Sequence, residues 1–177
     1  MASPGKKKVI DPNAVFYDEN VPGVSVLKDI DLVEDIRSRL CNFLHCQKNF
    51  FPGKWHVPLN PRNINKLQQP YVVAATGTGP RYLLYIDQDG DIYLENNRQQ
   101  IFQIDKEHTV HFPGTHRHPL TDTVLEGIIT KRKRSDNFSS GFVFVIQDSF
   151  RCNGKDLVKQ GIEERLACVQ VFFQKLI

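Results

Sequence analysis

Between Tyr71 and Asp105 the chain sets out four strand-like apolar stretches, YVVAA, RYLLYI, DIYLEN and QQIFQID, joined by connections of only two to five residues. A parallel crossover needs a dozen or more residues. Stretches this closely spaced can therefore pair only with antiparallel neighbours, and the turn signal Asp89-Gly90 marks a hairpin between the second and third. The connection after YVVAA, TGTGP followed by Arg81, has the small-residue chemistry of a tight turn. Further strands are expected at DTVLEGIIT and GFVFVIQD, separated by the polar loop KRKRSDNFSS.

Two helical patterns flank this block. From Leu27 to about His45, apolar residues at Ile30, Val33, Ile36, Leu40 and Phe43 or Leu44 recur at helical spacing, with Asp29, Glu34, Arg37 and Arg39 on the other face. From about residue 161 to the end, Ile162, Leu166, Val169, Phe173 and Leu176 repeat the pattern. Between helix and sheet lies a loop punctuated by Pro52, Gly53 and Pro58, leading to a short helix with Asn60 as N-cap and Pro61 in its first turn. Residues 1–24 lack periodicity and carry Lys, Pro and Gly. They are expected to form an extended basic arm that orders on a partner, leaving 25–177 as the folded domain. The fold class is α+β, a twisted, mainly antiparallel sheet flanked by helices, with no internal repeat.

Composition narrows the function classes. A domain of 177 residues buries about 70% of the surface its unfolded chain exposes. With 40% apolar residues, 12 Phe and 24% charged residues, it suits an ordinary globular core. The net charge of +3 permits a polyanionic partner without demanding one. Cys41, Cys46, Cys152 and Cys168 form no C-x-x-C pair, which fits reduced thiols in a cytosolic or nuclear protein. No apolar run reaches the roughly 18 residues of a membrane span, and MASPGKKKVI has no apolar core of a secretory signal. Oligomeric state is left open.

Several motifs, taken in order, resemble the nucleotidyltransferase domain of mRNA capping enzymes, a branch of the superfamily that includes DNA and RNA ligases. From about Leu32 onward the chain carries FFPGKWHVPLN, PYVV, the turn, RYLLYID, a second Phe-Pro-Gly at Phe112 to Gly114, TVLEGIIT, and FVFVIQDSFRCNGKDLVKQGIEERL. The resemblance implies a nucleotidyltransferase-like, ATP-grasp-like ligase and capping-enzyme core. In that family the turn reads Lys-x-Asp-Gly-x-Arg, and its lysine attacks the α-phosphorus of GTP to give lysyl-GMP. Aligned on Gly79 and Arg81, the present turn is Thr76-Gly77-Thr78-Gly79-Pro80-Arg81, with Thr76 at the lysine position and Thr78 at the aspartate. A threonine hydroxyl needs a separate base for activation, and the turn supplies none.

A second departure is at TVLEGIIT, where Glu126 and Gly127 match the start of the family's Asp-Gly-Glu but Ile128 replaces its final carboxylate, which helps hold ribose and metal. A third is expected from the end of the chain at Ile177, before the family's later lysine-bearing strands and its OB-fold domain. The resemblance so altered implies a catalytically inactive domain that binds a guanine nucleotide such as GTP, an RNA 5′ cap or an RNA-processing protein. Its binding residues would be Thr76, Gly77, Thr78, Gly79, Arg81 and Glu126, with no catalytic residue, no metal site and no magnesium expected. A more distant similarity is to the cap-binding domain of snurportin, a fold of the same kind without the lysine.

Two other readings stand beside this one. An active guanylyltransferase would need a displaced lysine such as Lys54 or Lys66 and a partner chain. A purely structural or interaction protein would have its cleft filled, with Ile128 at the former metal position and TGTGPR a simple hairpin. Lesser candidates divide likewise. His108, His111, His116 and His118 lack the spacing of a common zinc site. Cys41 and Cys46 suit helix packing. Trp55, Tyr82, Tyr85 and Tyr93 suit either a sheet core or stacking on a cationic cap base. KRKR at 131–134 is either a solvated loop or a nuclear-localisation or phosphate-contacting patch. With the family's role it favours a nuclear over a cytoplasmic location.

Overall fold

The computed structural model describes residues 10–46, 57–68, 72, 77–108, 120–132 and 141–173. Among the described residues seven strands form one sheet: β1 (Val24–Val26), β2 (Arg81–Ile86), β3 (Ile92–Asn96), β4 (Ile101–Ile104), β5 (Thr123–Arg132), β6 (Gly141–Cys152) and β7 (Lys155–Asp156). Their order is β1-β4-β3-β2-β5-β6-β7, and every ladder is antiparallel. The short connections expected to enforce this pairing do so from β2 to β4. Asp87 turns the first hairpin by accepting the N–H groups of Asp89 (2.9 Å) and Asp91 (2.8 Å). Asn96 turns the second by accepting those of Arg98 (2.9 Å) and Gln100 (3.0 Å). The expected strand YVVAA lies outside the described residues except for Val72.

β2 is buried on both faces, which is why RYLLYI reads as an unbroken apolar run rather than an alternation. Leu83 and Tyr85 pack under α1 (Ile30–Phe43) with Val33, Ile36 and Leu40. Tyr82, Leu84 and Ile86 face a second cluster with Phe102, Leu125, Ile129 and Val169 of α2 (Ile162–Phe173). The first helix begins at Ile30 rather than Leu27 because Asp29 caps it, accepting from the N–H groups of Asp31 (3.0 Å) and Leu32 (3.2 Å). Leu27 instead extends the sheet, donating its N–H to the Ile101 carbonyl. Ile30, expected on the buried stripe, is 62% exposed. At 100° per residue it points about 90° away from the mean direction of Val33, Ile36 and Leu40. Asn60 does cap the following turn, its side chain accepting from the Arg62 N–H at 2.9 Å, before a 3-10 helix at Ile64–Gln68.

The expectation of an extended arm over residues 1–24 is corrected for its described part. Phe16 is buried, its ring 5.3 Å from Tyr82, 5.6 Å from Phe102 and 5.8 Å from Phe142. Val24 to Val26 then pair with β4. One anchoring aromatic has no periodicity to betray it, whereas the burial of a Phe contributes on the order of 2 kcal/mol. Residues 1–9, with the lysine cluster, lie outside the described part.

Two register shifts in the β5/β6 ladder leave Phe150 and Gln147 as extra residues on β6. Such bulges bend a strand and re-aim its side chains. They fall beside Leu125 and Gly127, next to the retained carboxylate.

Candidate functional site

The antiparallel register sets Arg81 at the start of β2 opposite Ile128, and Leu83 opposite Glu126. Arg81 and Glu126 thus share a face one pair apart, and their side chains meet in an ion pair, 16% and 5% exposed. Burial pushes the Arg81 pKa below the usual guanidinium value, but a group that starts so high stays charged at neutral pH. Its Nε is buried with no hydrogen-bond partner among the described residues. An unmet buried donor is costly, so the pair is held in place by its surroundings rather than by ideal hydrogen bonding.

The turn lies against Ile128 and Ile129 of β5, beside this pair. Gly77, Thr78, Gly79 and Pro80 are exposed, and the Pro80 carbonyl accepts the Ile129 N–H at 3.0 Å. A Cβ on Gly79 would lie 1.9 Å from the Ile129 carbonyl oxygen, so only glycine allows the turn to lie on β5. Gly127 is fixed in the same way from the other side, because a Cβ there would lie 2.4 Å from the Val145 oxygen and 2.7 Å from the Phe144 ring. Ile128 is buried, and its Cδ1 is the atom a Cβ on Gly77 would meet, at 2.9 Å. An apolar side chain therefore occupies the space under the turn where the resemblance puts a carboxylate.

Of the six expected binding residues, the structure brings together Gly77, Thr78, Gly79, Arg81 and Glu126; Thr76 lies outside the described residues. It also adds a pair not singled out from the sequence. Asp148 stands opposite Glu126 on β6, and Arg165 of α2 grips it with two hydrogen bonds of 2.7 and 2.8 Å. Two facing carboxylates repel one another. Here each has its own arginine, Arg81 for Glu126 and Arg165 for Asp148. Arg165 is fixed further by the Gln160 carbonyl at 2.6 Å. Both residues stand in the stretch FVFVIQD…GIEERL, but 17 positions apart, a separation no local periodicity connects.

The other candidates separate. Tyr82, Tyr85 and Tyr93 are buried in the sheet, Tyr85 stacked on Tyr93 with centroids 6.1 Å apart, and burial lifts the Tyr93 hydroxyl to about 12. Tyr82 packs its ring against Phe16 and Phe102, so all three rings are engaged with the core. Lys131 pairs with Glu19 and lies over the Tyr17 ring at 5.6 Å, while residues 133 and 134 lie outside the described part. Lys66 is exposed on the short 3-10 helix, and Lys54 and Trp55 lie outside the described residues, as do His111, His116 and His118. Among the described residues no group of three His, Cys, Asp or Glu is placed to hold a metal ion. None of the four cysteines, all among the described residues, is in a disulfide. No helix among the described residues is long and apolar enough to cross a membrane.

Comparison with known proteins agrees with the motif order. The family model for the mRNA capping enzyme catalytic domain matches residues 17–176. An mRNA-capping enzyme of Danio rerio is 26% identical over 169 residues, which cover 93% of this chain and 27% of that protein. This chain thus spans about a quarter of that relative. The match begins at Tyr17, beside the Phe16 anchor, and runs through β2, β5, β6 and α2, the elements that assemble the turn, the two carboxylates and their arginines. The chain belongs to the mRNA capping enzyme catalytic domain family.

Proposed function

We propose that this domain binds a guanine nucleotide or a capped RNA 5′ end through the exposed turn beside Arg81 and does not form a lysyl-nucleotide intermediate. The observation that carries the reading is the Arg81–Glu126 pair. A cation and a carboxylate at two family positions are held together beside an exposed glycine turn, with the Arg81 Nε lacking a partner among the described residues. A guanidinium so placed can offer N–H donors to phosphate or ribose oxygens, and the turn can add backbone N–H groups. Thr76 at the lysine position and Ile128 at the metal-holding position support the loss of transfer chemistry, since catalysis of phosphoryl transfer rests on placed cations.

The experiment is an equilibrium titration with GTP and with a methylated-cap dinucleotide, comparing the wild type with Arg81→Ala at a temperature where circular dichroism shows both folded. Saturable binding near micromolar, about −8 kcal/mol, that weakens by tenfold or more in the variant is the expected result. The accompanying incubation with labelled GTP and magnesium is expected to leave no covalent adduct. An adduct would replace this reading with an active transferase that uses another lysine.

One observation favours a second reading. Ile128 fills the space beneath Gly77, so the former cleft is partly occupied by the protein itself. If neither ligand binds up to about millimolar, a free energy of only about −4 kcal/mol, the domain is an interaction module, and Arg81→Ala changes stability alone.

A further inference from the structure

The two edges of the sheet are unlike. One ends in β1, only three residues long, and short edge strands leave little backbone to template another chain. The other is β6, twelve residues long, which β7 covers only at Arg151 and Cys152. The bulges at Gln147 and Phe150 disturb the strand next to that covered end. From Phe142 to Ile146, β6 pairs with β5 on one side and with no described strand on the other.

Two of the usual edge protections are missing from this stretch. GFVFVIQ, residues 141–147, contains no charge and no proline. Its side chains are only partly covered: Phe142, Phe144 and Ile146 pack from the edge against the core, and Val143 is 37% exposed.

We propose that this edge is a self-association surface, on which a second copy of the chain adds its own β6 in antiparallel pairing about a two-fold axis at Phe144. That register uses all five free residues. It sets Phe142 against Ile146 of the partner subunit, Val143 against Val145 of the partner subunit, and Phe144 against its own copy. Each pair is apolar, no like charges meet, and the residues continuing the core face stay on one face across the joint. The self-complementary, uncharged sequence is what selects a second copy over a foreign strand. A two-fold contact is also closed, so it yields a dimer and not a fibre. The turn beside Arg81 takes no part, so this proposal stands or falls independently of ligand binding.

The test is sedimentation equilibrium of the full chain over a wide concentration range, for the wild type and for Val143→Lys, whose exposed site tolerates a long side chain. The wild type is expected to pass from monomer to dimer, and the variant to associate about tenfold or more weakly with unchanged circular dichroism. A wild type that stays monomeric throughout overturns the proposal and leaves the edge to a foreign strand. Dimerisation unaltered in a folded Val143→Lys places the contact elsewhere and overturns it as well. If that variant misfolds, the register is read from Val143→Cys combined with Val145→Cys under copper–phenanthroline oxidation. The pair should give a disulfide-linked dimer that neither single variant gives, and its absence overturns the register.

Discussion

At the scale of single residues, the buried charges decide most. Removing one member of a buried ion pair leaves the other uncompensated and costs about 3 kcal/mol. Arg81→Ala takes away the guanidinium that pairs with the buried Glu126, so its urea midpoint should fall accordingly. Arg81→Ala combined with Glu126→Leu should recover a substantial part of the loss, because the buried carboxylate is then gone. A double variant no more stable than the single one would mean that Arg81 acts through packing alone. Cys152 provides a second residue-scale test. Burial lifts its thiol to about 11, and its Sγ donates to the Cys168 carbonyl at 3.9 Å. Against a free thiol near 8.5 it carries roughly two-hundredfold less thiolate around pH 8. Iodoacetamide should therefore label Cys152 in the native protein at least that much more slowly than in urea, as read by peptide mass spectrometry. Because the folded value lies above the unfolded one, the stability contributed by this thiol is complete below about pH 8.5 and is lost as the pH climbs towards about 11.

At the scale of elements, local signals sufficed where local physics sets the structure. The β2–β3 and β3–β4 hairpins were legible because period and turn chemistry lie within a few residues of one another, as at Asp87-Gln88-Asp89-Gly90. The first helix is legible in its stripe but not at its start, since Asp29 fits the polar face of the pattern equally well and acts as the cap. Asp29→Ala should cost about 1 kcal/mol, lower the thermal midpoint by a few degrees, and leave the sheet's near-ultraviolet spectrum unchanged. A loss well above that would make Asp29 more than a cap. The bulges at Phe150 and Gln147 were not legible, because two-against-one pairing is settled between strands far apart in sequence. The candidate site divides along the same line. Gly79, Arg81 and Glu126 came from the family resemblance, and β2/β5 register brings them together. The Asp148–Arg165 pair depends on how α2 docks on β6, which neither element encodes alone.

At the scale of the whole molecule, the described N-terminal segment is part of the sheet's core. Phe16 touches Tyr82 of β2, Phe102 of β4 and Phe142 of β6, and so bridges both halves of the sheet from outside it. Tyr82 adjoins Arg81, and Phe142 opens the uncovered stretch of β6, so the same ring braces the candidate binding turn and the free edge. Truncating such a ring removes its transfer free energy and leaves a cavity, a cost of about 3–5 kcal/mol. That is a large share of the 5–15 kcal/mol by which a domain is typically stable. Phe16→Ala should therefore unfold at a much lower urea concentration, in one transition followed identically by far-ultraviolet circular dichroism and tyrosine fluorescence. Phe16→Leu, which keeps most of the volume, should lose less than half as much. If residues before Val24 were instead an independent arm, Phe16→Ala would leave the midpoint within about 0.5 kcal/mol of the wild type, as surface substitutions do.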